Sequence, residues 1–81
     1  MHDIPKYQIQ AFWDQEAEVW VAQSKDILGL VTESPTLEQL ILKLRQMIPE
    51  LLAANHHVTP AAKQDIIFEL ITRREESISV A

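Results

Sequence analysis

The chain has 81 residues, 47% of them hydrophobic and 23% charged, with a formal net charge of −5 and no cysteine. That length makes one small domain, residues 1–81, which buries only about 60% of the surface its unfolded chain exposes. Missing thiols exclude disulfides and thiolate metal sites, the acidic balance disfavours phosphate backbones, and no apolar run is long enough for a leader or a membrane span. A cytoplasmic protein is therefore expected, without direct nucleic-acid contact and with an attraction for basic partners.

The first element predicted is a strand over residues 7–13, "YQIQAFW". Tyr7, Ile9, Ala11 and Trp13 fall on one face at period two, and Gln8, Gln10 and Phe12 on the other. "DQEAE" is a polar turn, and residues 18–24 return as a second strand rich in valine and tryptophan. Gly29, the one glycine, stands between Leu28 and Leu30. Only glycine takes positive φ without strain, so a tight turn is expected there before a short third strand, "LVTES".

Thr36 with Gln39 three residues on forms a capping-box signal. Behind it Leu37, Leu40, Ile41, Leu44, Met47, Ile48, Leu51 and Leu52 recur on one helical face, with Leu42 off the stripe. Pro49 removes a backbone donor and predicts a kink, because the apolar phase continues through "ELLAAN" to Asn55, a left-handed C-cap candidate. A connector, "HHVTPAAKQD", leads to a fourth strand at about 65–72. Ile66, Phe68 and Leu70 share one face of it, and Ile67 and Ile71 the other.

The order is β-β-β-α-β, an α+β domain whose last strand can pair parallel to an earlier one after a right-handed helical crossover. One helix covers one face of a four-stranded sheet, yet both faces carry large apolar groups. Phe12, Val19, Val21 and Ile67 are therefore candidates for a homo-oligomer face on the helix-free side, in a dimer or a tetramer.

Chemistry-bearing constellations are few. One glycine makes no phosphate loop, and no nucleophile motif surrounds Ser24, Ser34, Ser77 or Ser79. His56 and His57 are adjacent, which suits a solvated helix end better than metal ligation. Asp14, Glu16 and Glu18 read as a solvated turn, Asp26 and Glu33 flank the glycine without a sign of a pocket, and Arg73 to Glu76 read as an exposed strand end. No catalytic residue, metal site or cofactor site is assigned, and the chain is expected not to be an enzyme. Trp13 and Trp20 are ordinarily packing residues, though tryptophan is also enriched in binding hot spots.

The stretch "AFWDQEAEVWVAQSKDILGLVTESPTLEQLILKLRQMIPELL" carries a resemblance. Its acidic turn, "VWVA", "DILGLVTE", "TLEQL" and "IPEL", at their spacing, resemble the HicB-like antitoxin superfamily, and more narrowly a family of short bacterial domains of unknown function related to HicB. The resemblance covers about half of the chain. It implies the partial ribonuclease-H-like core of HicB, with the last strand beside the first, and a non-catalytic module that binds a small basic RNA-cleaving toxin of the HicA type. The candidates for partner binding in this chain are Trp13, Asp14, Trp20, Asp26, Leu28 and Gly29. Two departures stand out: Leu28 replaces a proline common in HicB proteins, and "RREESISVA" after the last strand holds no DNA-binding segment. The alternative is a self-assembling structural or regulatory domain without a toxin partner.

Overall fold

The architecture follows from where each amphipathic face finds cover. The computed structural model describes residues 4–56 and 64–81. β1 (Lys6–Asp14), β2 (Val19–Gln23), β3 (Val31–Ser34), α1 (Leu37–Ala54) and β4 (Ile67–Arg73) follow in chain order. They build one four-stranded mixed sheet, ordered β3-β2-β1-β4, with the helix on one side. The predicted β-β-β-α-β order holds, and β4 runs parallel to β1 with Ile9 opposite Leu70. β1 and β2 form the antiparallel hairpin, Trp13 opposite Trp20.

The helix stripe forms the core. Leu40, Leu44, Ile48 and Leu52 are fully buried against Ile9, Ala11, Trp20 and Ala22 of the sheet and Ile27 and Leu30 of the β2–β3 connection. Burying each such side chain is worth about 1.5–3 kcal/mol relative to exposure. Leu42, off the stripe, is exposed. Thr36 caps the helix as predicted, its Oγ1 accepting the Gln39 N–H at 3.1 Å. The helix continues through Pro49, as the unbroken apolar phase required.

Asn55 is the C-cap as expected, but it is not left-handed. Asn55 has φ −89, and the left-handed residue is the next one, His56, at φ +63. Asn55 is used otherwise: its Nδ2 donates to the Leu28 carbonyl at 3.0 Å, tying the helix end to the glycine turn. His56 is exposed, whereas His57 and the connector at 57–63 lie outside the described residues. Among the described residues no helix is long and apolar enough to cross a membrane.

Phe12, Val19, Val21 and Ile67 all point to the helix-free side, as the period-two pattern predicted. They share that face with Gln8, Gln10, Gln23, Glu33 and Glu69. It is a mixed surface rather than a continuous apolar one. Lys6 and Glu69 form an ion pair across it at 2.9 Å. The neighbouring ammonium holds the Glu69 carboxyl below its ordinary value of 4.5.

Candidate functional site

The connection between β2 and β3 is built by side chains that imitate a strand. β1–β2 pairing stops at Gln10 opposite Gln23, which would leave the backbone of Gln8 without a ladder partner. Two side chains take the ladder's place. Asp26 Oδ2 accepts the Gln8 N–H at 2.7 Å, and Ser24 Oγ donates to the Gln8 carbonyl at 2.6 Å. Ser24 Oγ also accepts the Asp26 N–H at 3.0 Å, which locks the two together.

From that anchor Ile27 dives into the core, and the chain reverses in a four-residue turn closed by Leu30 N–H to the Ile27 carbonyl at 3.3 Å. Gly29 occupies the third position with φ +86, a conformation that this class of turn demands and that side chains resist. A methyl group there would lie 3.6 Å from Leu51 Cδ2, an ordinary contact, so the backbone angle rather than space selects glycine. Leu28 stands at the crest, 77% exposed, while its own carbonyl is held by Asn55. Val31 is 68% exposed beside it. Between this turn and the helix-free face lies an open groove of about 560 Å³. Gln10, Gln23, Lys25 and Asp26 give it polar walls, and Leu28 and Val31 an apolar lip.

The six predicted partner residues separate into two places. Asp26, Leu28 and Gly29 meet in this groove. Trp13, Asp14 and Trp20 lie at the far end of the hairpin. There Trp20 is only 8% exposed and packs edge-on against Trp13, ring centroids 5.5 Å apart. Trp13 donates its Nε1–H to Gln15 Oε1 at 3.0 Å, and Arg74 covers its ring with the guanidinium 4.3 Å from the centroid. Asp14 Oδ1 accepts the N–H groups of Glu16 and Ala17, at 3.1 and 3.2 Å, and so shapes the hairpin turn. These three side chains are occupied within the chain.

Sequence reading missed the anchoring role of Ser24 and Asp26. A serine and an aspartate just past a strand end are a weak signal of such local pairing, but their target, Gln8, lies on another strand. It also missed Arg74, assigned to an exposed strand end, for which no local signal exists. Among the described residues no group of three histidine, cysteine, aspartate or glutamate side chains is placed to hold a metal ion.

Residues 6–81 match a family described as a domain of unknown function, DUF1902. The chain belongs to that family. A solved structure, the crystal structure of hypothetical protein TTHA1013 from the extremely thermophilic bacterium Thermus thermophilus, is similar at a TM-score of 0.62 and 40% identity, over 93% of this chain and 99% of that one. No curated protein matches. The DUF1902 match runs through β4 and the residues beyond it, so the glycine turn, the tryptophan pair and the C-terminal segment all fall within the family domain.

Proposed function

We propose that this DUF1902 domain is a non-catalytic protein-binding module, comparable to the core of a HicB-type antitoxin, that presents the Leu28 turn to a small basic protein. The observation carrying this reading is Leu28 itself. A leucine 77% exposed on a turn fixed by a positive-φ glycine, a helix-end asparagine and a pinned aspartate is a preorganised apolar contact. Preorganisation lowers the ordering cost of association. The net charge of −5 and the Asp26 wall of the groove favour a basic partner. A partner of the HicA kind, an RNA-cleaving toxin, would be neutralised by having its RNA-binding surface covered. The resemblance read in "DILGLVTE" supports that choice of partner.

A second reading, a self-assembling domain without such a partner, is favoured by the exposed Phe12, Ile67 and Ile71 on the helix-free face.

The test is capture of partners by the tagged chain from its native lysate at moderate salt, with the captured protein released and assayed on RNA. A small basic protein held at equal stoichiometry, and cleaving RNA once freed, is the expected result. A bare homo-oligomer with nothing bound overturns the first reading in favour of the second.

A further inference from the structure

Beyond β4 the chain does not stop at the sheet. Residues 74–81 form no helix or strand with the rest of the chain and are exposed throughout, with Ile78 and Val80 at 82% and 85%. Arg74 follows the last strand pair, Phe12 opposite Arg73, with its guanidinium over the Trp13 ring. Residues 67–81 at strand rise span about 50 Å, and the molecule measures 58 × 26 × 20 Å. Its radius of gyration, 15.2 Å, exceeds the roughly 12 Å expected of a compact chain of this length.

β4 is at the same time an open edge. Among the described elements it pairs with β1 alone. Ile67 donates its N–H inward, to the Pro5 carbonyl at 2.8 Å, so the alternate residues Phe68, Leu70 and Thr72 direct their N–H and C=O groups away from the sheet. A seven-residue edge strand, IFELITR, without proline or bulge is a template that proteins ordinarily cover.

We propose that two copies of this chain exchange these arms, each arm lying antiparallel along the β4 edge of the other and making one continuous sheet of eight strands. The pairing centres on Arg74 and is two-fold by construction, as an isologous contact requires. Residues 75–81 then oppose 73–67 of the second copy. The outward-pointing groups of Glu76, Ile78 and Val80 meet those of Thr72, Leu70 and Phe68. Ile78 and Val80 come to the helix side, next to half-buried Leu70 and Phe68. A groove of about 180 Å³ opens there, with Leu44, Ile48, Pro49, Ile66 and Phe68 among its walls. Glu75 meets Arg73 of the second copy, exchanging the ion pair that the two make within one chain. Arg74 meets Arg74 at the axis, each already neutralised by Glu76 at 2.6 Å and stacked on Trp13. The helix-free face and the Leu28 groove stay uncovered, so the exchange is independent of what that groove binds.

The experiment is light scattering on the full chain and two variants at micromolar concentration, with far-ultraviolet dichroism to show that each is folded. Ile78→Pro removes an N–H that the ladder needs while touching nothing in the single chain. Phe12→Asp puts a charge on the helix-free face. The expected result is a dimer for the unaltered chain and for Phe12→Asp, and half that mass for Ile78→Pro. A monomeric unaltered chain overturns the proposal, as does a dimer that survives Ile78→Pro. The cysteine-free chain also allows a register test: Ile71→Cys with Ser77→Cys places two thiols at a directly opposed pair between copies. Oxidation should convert the protein to a covalent dimer on a denaturing gel, and failure to cross-link there overturns the register.

Discussion

The hairpin end and the glycine turn hold the two halves of the predicted site, and they treat their large side chains in opposite ways. At the hairpin end Trp13 and Trp20 are turned to the helix side, packed on each other and covered by Arg74. At the glycine turn comparable effort, a positive φ, a pinned aspartate and an asparagine clamp, holds Leu28 out in water. Exposed apolar groups on loops are usually single and unconstrained. Here the backbone beneath the exposed leucine is over-determined, so the first region serves the stability of the fold and the second is the one we propose for recognition.

The sharpest break between the two regions is expected from Trp20→Ala. Truncating a buried aromatic costs about 3–5 kcal/mol, a large part of the stability of so small a domain, and calorimetry should show a collapsed or absent melting transition. Gly29→Ala comes next. A side chain forced into the left-handed region costs about 1–2 kcal/mol, to be read as a lowered denaturant midpoint with an unchanged slope. Asp26→Asn weakens the charge-assisted bond from the Gln8 N–H and should cost about 1 kcal/mol, with faster hydrogen exchange at Gln8 as its local signature. A cost at Gly29 equal to that at Trp20 would erase the distinction between the regions.

The smallest effect lies outside both. Lys6 lowers the Glu69 pKa below 4.5, so the folded state binds a proton there less readily than the unfolded one. That contribution is present above the unfolded value and is lost as pH falls through the lowered one. Glu69→Gln should therefore remove a small contribution at neutral pH, leave stability below the lowered value nearly unaffected, and so flatten the acid limb of the stability profile slightly. The pair is exposed on both sides, so the change is small.

Local pattern was enough for most of the fold because each element declares its buried face at its own period. The four-residue spacing of Leu40, Leu44, Ile48 and Leu52 and the alternation of Ile9 and Ala11 both name residues that the core buries. The helix between them and β4 also implied the parallel pairing. Gly29 was legible for the same reason, since a lone glycine signals a backbone need. What failed to show was long-range or idiosyncratic. Glu18 takes φ +56 in a turn with no glycine to announce it. Arg74 and Asp26 act on partners in other strands, and no window of sequence contains both members of either pair. The candidate site was half legible: Asp26, Leu28 and Gly29 converge, but nothing local told Trp20 in the core from Leu28 at the crest.

The direct test is Leu28→Asp, compared with the unaltered chain in both melting temperature and retention of the small basic protein captured from the lysate. An exposed substitution of this kind should change stability by no more than about 0.5 kcal/mol. A folded variant of unchanged melting temperature that no longer holds the protein is the predicted result. A variant that melts normally and retains the protein at full stoichiometry would contradict the assignment of this turn to recognition.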